Sequence, residues 1–386
     1  MGQALRPWRL GQGPAALAGG AGRGAACATG WTGLLANWPE CKSALIGLSP
    51  ILRYALTQSR CDCPDFVLPN SRAFGLPGIR LLQTLTSGFW LDRRKYSVLV
   101  AAQRGLRKTR ALGQGAALQQ LNASDAFLNH VKTDPDQDRL FFLSHRHYLA
   151  CGLSAPQRIQ AALCHYLHED AQFSVAYADQ VYRQTGLILW QAQIGGVQYD
   201  IRLQPGNDVL YEGGLSIVLH VNGGRVCVLS FSVVPRAIVL PDGPAGQPDT
   251  IAFVTRKQLT QLRDYQAAFN TAFDRCTPAH MCFAALSGIT MAQGQNWAFG
   301  IAPDKHPSYT SGLAAQFQRS YGDFWLSLSG RKLSQWGYLI DLPMRLTSLE
   351  ELDPGRRKRA LARRAHIDGV LAATLDRITP LLRHSG

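Results

Sequence analysis

Leu215-Ser216-Ile217-Val218-Leu219-His220-Val221, Asn222-Gly223-Gly224-Arg225 and Val226-Cys227-Val228-Leu229-Ser230-Phe231-Ser232-Val233-Val234 are two β-branched runs around an Asn-Gly step. Branched and aromatic side chains suit a pleated, packed strand. Asn-Gly supplies the positive φ angles that a tight primed turn requires. Just upstream, Gly186–Gln193 and Val197–Leu203 flank Ile194-Gly195-Gly196, a second hairpin signal. Together they predict four antiparallel strands in one sheet.

Outward from this meander the pattern changes period. Leu140–Tyr166 reads as helical with a break at Gly152–Pro156, where Ser154 caps the next helix and Ile159, Ala162, Leu163, Tyr166 and Leu167 point inward. Downstream, helices are expected at Gln258–Phe273, Pro278–Ala292, Gly312–Arg319 and about Gly355–Leu382, with strands at Asn296–Ala302 and Gly337–Leu342. The order describes an α+β fold, a central antiparallel sheet flanked by helices. It is similar to acyl-CoA N-acyltransferase folds, which is analogy at the level of the fold. Residues 1–30, rich in Gly and Ala, read as a disordered extension. Residues 31–135 read as a helical N-terminal region with a Pro/Gly-broken linker at Cys61–Pro77, and residues 136–386 as the α+β domain.

The bulk properties bound the function. A chain of 386 residues with 46% hydrophobic and 17% charged residues is globular in composition and can bury a large core. Its formal charge of +14 draws it towards phosphates. The expected partners are an anionic membrane surface or an acidic ligand, ahead of nucleic acid, although basic composition alone also accounts for the charge. Nine cysteines, an odd number and several within apolar runs, fit a reducing compartment better than a disulfide framework. Cys61-Asp62-Cys63 alone is close-spaced, too little for a zinc site, so no metal is expected. No window reaches about 18 apolar residues, so no spanning helix is expected, and neither is a secretory signal. The default location is cytoplasmic, with a peripheral place on the inner membrane. Gly-x-Ser-x-Gly, Walker, His-Glu-x-x-His and dinucleotide fingerprints do not occur. No cofactor is therefore expected, and these residues do not decide whether the protein is an enzyme.

Several constellations carry chemistry. His145 and His147 flank Arg146 before Tyr148, which suits phosphate binding or proton transfer, or else a polar helix end. His165 and Glu169, spaced i, i+4, share a helix face as a base–carboxylate pair, or decorate a helix C-terminus stabilised by its dipole. Glu212 precedes Gly213-Gly214 at a strand mouth, where a carboxylate can serve as base. Arg256 and Lys257 sit at a strand-to-helix junction, where cations beside free helix N–H groups suit a phosphate. Tyr321-Gly322-Asp323-Phe324-Trp325 combines core-forming aromatics with one acid, and Tyr321 and Trp325 are also site candidates. Arg356, Arg357, Lys358 and Arg359, followed by Arg363 and Arg364, set a strong positive field that suits lipid headgroups, RNA or an acidic partner. In a transferase, His165, Glu212 or Asp323 would be the base and Arg256 with Lys257 would hold phosphate. Phe253–Gln258 holds no glycine, so the usual CoA pyrophosphate loop is not evident.

The order from Tyr321 to Arg364 resembles the C-terminal signature of the bacterial VirK/YbjX family. The matching residues are Tyr-Gly-Asp-Phe-Trp, Gly330, the Trp336-Gly337-Tyr338-Leu339-Ile340-Asp341-Leu342-Pro343 strand and the Gly355-Arg356-Arg357-Lys358-Arg359 helix start. The resemblance covers roughly residues 140–370, including the His-Tyr pairs at 147–148 and 165–166 and the Glu-Gly step at 212–213. It implies support of envelope integrity, virulence-related surface traits and resistance to antimicrobial peptides, without naming a reaction. The chain departs from the family pattern where Gly322 separates Tyr321 from Asp323, where Gly330 stands alone in place of a Gly pair, and where the Gly-Leu-Arg-Pro-Lys-like element survives only loosely at Asp274–Pro278.

Overall fold

The computed structural model describes residues 97–108, 113–133, 143, 148–206, 212–241, 248–258, 262–345, 350 and 353–383. The helices are α1 (Val98–Lys108), α2 (Gly115–Leu121), α3 (Asp125–Thr133), α4 (Ala155–Gln172), α5 (Leu262–Ala272), α6 (Pro278–Ala292) and α7 (Pro354–Ile378), with shorter turns between them. The strands are β1 (Leu187–Ile194), β2 (Val197–Pro205), β3 (Leu215–Val221), β4 (Gly224–Pro235), β5 (Thr250–Gln258), β6 (Trp297–Ile301), β7 (Arg331–Ser334) and β8 (Gly337–Asp341). They form one sheet in the order β1-β2-β3-β4-β5-β6-β8-β7. The fold is α+β.

Both hairpins form as the turn chemistry dictates. Asn222 and Gly223 take φ of 48° and 78°, and Gly195 and Gly196 take 58° and 78°. The four predicted strands are the first half of a larger sheet. The segment ending at Gln258, read as a strand-to-helix junction, is a full strand: β5 pairs with β4 from Thr250 to Gln258. β7, short and exposed, adds an edge that its mixed sequence does not signal. One pairing breaks the antiparallel pattern. β6 lies parallel to β5, over Ala252↔Ala298, Phe253↔Phe299 and Val254↔Gly300. The chain between them passes through α5 and α6, as a parallel crossover requires.

Burial explains the helix positions. α4 starts at Ser154, whose hydroxyl accepts from the Gln157 amide while the Gln157 side chain reaches back, a reciprocal capping box. The helix packs on β4, with Ile159 and Ala162 fully buried, while Tyr166 meets Phe127 and His130 of α3. α6 is buried on nearly every side, as its uninterrupted apolar composition demands. Gly288 lets α7 approach it closely: a Cβ there would lie 2.7 Å from Thr374 Cβ. α7 turns Ala360, Ile367, Val370, Thr374 and Ile378 inward. Leu118, Leu121 and Phe127 of α2 and α3 join the same hydrophobic core as the sheet.

Candidate functional site

In open sheets with parallel strands, ligands sit beyond the carboxyl ends of those strands. Here the carboxyl ends belong to β5 and β6. Past Val254↔Gly300 no further β5–β6 pairs follow, although β5 runs on to Gln258. At this divergence four polar side chains from separate segments meet. Thr255 Oγ1 of β5 lies 3.4 Å from Glu212 Oε2. Glu212 Oε1 lies 3.6 Å from His306 Nε2. His306 Nε2 is 2.9 Å from the Tyr321 hydroxyl. All are buried, with Glu212 at 6%, His306 at 2% and Tyr321 at 7% exposure.

Local sequence explains the assembly. Glu212 enters just before β3, where Gly213 lies against the backbone of Phe231 in β4 and Gly214 donates its N–H to Ser232 Oγ at 2.8 Å. His306 follows β6 by one 3-10 turn, Pro303–Lys305. Cys151 fixes that turn: its N–H donates to the Lys305 carbonyl at 2.7 Å and its Sγ to the His306 carbonyl at 3.5 Å. Tyr321 sits in a π-helical turn, Gln318–Gly322, a distortion frequent at functional sites. Trp325, one turn later and fully buried, donates Nε1–H to the Ile301 carbonyl at 2.8 Å and lies flat on Gly300. The Trp thereby ties the Tyr321 segment to the end of β6.

The His306 tautomer follows from its neighbours. Nδ1 accepts from the Ser308 amide at 3.1 Å, so the proton of the neutral ring is on Nε2, donated to the Tyr321 oxygen and facing Glu212. Phe317 stacks on Tyr321 at 5.5 Å and tilts against His306 at 5.3 Å, forming an apolar wall. A carboxylate, an imidazole and a phenol in one desolvated cluster can take up and deliver a proton. Among the described residues no group of three or more His, Cys, Asp or Glu gathers to hold a metal.

His165 and Glu169 form a neighbouring cluster on α4. His165 is fully buried; its Nδ1 accepts from the Val233 amide at 3.4 Å, and its Nε2 stands 3.4 Å from Glu169 Oε2 and against Gly214. Tyr177 and Tyr182 donate to the two Glu169 oxygens at 2.9 and 2.8 Å. Burial pushes His165 down to about 3, helped by His168. Burial pushes Glu169 up to about 7, against the two tyrosine hydrogen bonds. Neither group favours charge in place, so the two meet without forming an ion pair. Glu169, Tyr177 and Tyr182 also line a cavity of about 230 Å³ between α3 and the end of α4.

Other predicted residues lie apart. Asp323 accepts from Gln318 Nε2 at 3.2 Å on an exposed helix surface. Arg256 and Lys257 are on β5 opposite Leu229 and Val228, past the last β5–β6 pair. Arg356, Arg357, Lys358 and Arg359 are exposed at the start of α7. His145 and His147, like Cys61, Cys63 and residues 1–30, lie outside the described residues. Sequence reasoning missed Thr255 and His306. The usable signal for His306 was its place just beyond the predicted strand ending at Ala302; for Thr255 it was absent, because Val254–Gln258 was read as a junction.

Among the described residues no helix is long and apolar enough to cross a membrane. Residues 105–240 match the model of a family described as a protein of unknown function (DUF535), the family that includes VirK/YbjX. The matched segment carries His165, Glu169 and Glu212; His306 and Tyr321 follow it. No curated protein and no solved structure matches the chain.

Proposed function

From a chain that carries the VirK/YbjX-type family segment at residues 105–240, we propose an enzyme that transfers an acyl group to an amine of an envelope component or small molecule. One observation carries the reading: Glu212, His306 and Tyr321 meet at the carboxyl ends of the parallel strands β5 and β6. An acyl donor bound in that divergence would bring its carbonyl to the cluster. Glu212, with His306 beside it, takes the proton of the attacking amine as the new C–N bond forms. Tyr321 supplies a proton to the departing thiolate as the C–S bond breaks. His165 positions the 212–214 segment by packing on Gly214. Arg256 and Lys257, beyond the last β5–β6 pair, are the donor-phosphate candidates.

The test is thermal unfolding with CoA, acyl-CoA, nucleotides and simple amines. A ligand at about 100 times its dissociation constant adds about 2.7 kcal/mol, a rise of a few degrees in a chain of this size. A shift with acyl-CoA that Arg256→Ala/Lys257→Ala abolishes supports the reading; no shift with any acyl donor counts against it.

Envelope integrity, virulence-related surface traits and peptide resistance then follow as consequences of the reaction. A deletion strain should become sensitive to cationic host peptides. The wild-type chain should restore resistance and Glu212→Gln should not; equal restoration by both would separate the phenotype from this chemistry. The working location is the cytoplasm, peripheral to the inner membrane.

A further inference from the structure

The first turns of α7 violate the electrostatics of an ordinary helix start. The positive end of a helix macrodipole favours acids, and cations there cost stability. α7 has no acid in its first turn. After the N-cap Asp353 it carries Arg356 and Arg357 there instead, Lys358 and Arg359 in the second turn, and Arg363 and Arg364 one turn on. Arg356 Nε lies 3.8 Å from Asp353 Oδ2, a weak exposed pair, and Arg359 Nε donates to the Gly355 carbonyl at 3.4 Å. Residues 353–359 are all exposed. Further along, Ala360, Ile367, Val370 and Thr374 are buried, which fixes the helix as a rigid mount.

The outward face has a second feature. Leu361 is 50% exposed there, between Arg357 and Lys358 on the preceding turn and Arg364 on the next. An apolar side chain within a ring of cations is the pattern of a helix that lies on anionic lipid. Residues 353–366 contain no Phe, Tyr or Trp on which a base would stack. The net charge of +14 adds long-range attraction.

We propose that the start of α7 docks on an anionic phospholipid surface, with Arg357, Lys358 and Arg364 on headgroup phosphates and Leu361 at the acyl boundary. The proposal stands apart from the acyl-transfer reading and uses none of its residues. Surface attraction of about 1 kcal/mol per cation corresponds to about fivefold in affinity for each. Removing three should cost about a hundredfold, and reversing them more.

Co-sedimentation of the full chain tests it, with phosphatidylcholine vesicles with and without phosphatidylglycerol. The wild type should bind only the anionic vesicles, and less as salt rises. Arg357→Glu/Lys358→Glu/Arg364→Glu should abolish binding without lowering the melting temperature, since acids suit a helix start. Arg357→Lys/Arg364→Lys, which keeps the charge, should retain it, and Leu361→Ser should weaken it. Failure to bind anionic vesicles, equal binding to neutral ones, indifference to charge reversal, or complete transfer to RNA at equal phosphate concentration would each overturn the proposal.

Discussion

Gly214 and Gly300 owe their identity to the rings that lie on them. A side chain at Gly214 would run into His165 Nε2, and one at Gly300 into the Trp325 indole. Gly214→Ala should therefore destabilise by about 1–3 kcal/mol through overpacking, measured by urea denaturation; an unchanged midpoint would mean that His165 has room to move. The same histidine has a pH signature. Its folded pKa is depressed to about 3 from an ordinary 6.5, so the unfolded chain binds its proton first. Stability is then lost as pH falls below about 6.5, at up to about 1.4 kcal/mol per unit. Glu169 works in the opposite sense. Its raised value near 7 means stability is lost as pH climbs from the ordinary carboxylate range through 7. The groups facing this pair are His168, Asp170, Tyr177 and Tyr182. Between about pH 5 and 6.5 the two slopes oppose each other, so Glu169→Gln should expose a loss as pH falls below 6.5 and His165→Gln a loss as pH rises towards 7; parallel pH profiles for wild type and both variants would contradict this.

At the scale of elements, short-range chemistry decides the outcome where it is strong. Asn222, at φ of 48°, also accepts from the Gln198 amide at 2.9 Å, so the turn ties a third strand to its hairpin. Asn222→Ala should cost about 1–2 kcal/mol from the left-handed backbone alone. Ser154→Ala should cost about 1 kcal/mol by removing the cap of α4. Both are read from equilibrium unfolding. These features, the two hairpins and the long helices α6 and α7, were legible because each is encoded within a few residues. The parallel pairing of β5 with β6 was not. It depends on a crossover through two helices, and nothing local in Ile251–Val254 distinguishes a parallel neighbour from an antiparallel one. The candidate site was legible in pieces for the same reason. Glu212 and Tyr321 stood out by their neighbours, whereas His306 acquires meaning only once the sheet brings 212, 306 and 321 together.

For the whole molecule, the start of α7 carries six of the 40 Lys and Arg residues, and the buried acid–base cluster is held by the sheet. The two features separate in experiment. Charge reversal on α7 should not lower the melting temperature and should leave any chemistry on soluble amines unchanged, while Glu212→Gln should leave vesicle binding unchanged. The most direct measurement of the central claim is thiol release from an acyl-thioester in the presence of an amine, comparing wild type with Glu212→Gln and Tyr321→Phe. The wild type should show amine-dependent release. Each variant should lose about a hundredfold or more, the usual scale of a lost general acid or base, with both variants still folded. Release at the wild-type rate by the folded variants, or none from any acyl donor and amine by the wild type, would contradict it.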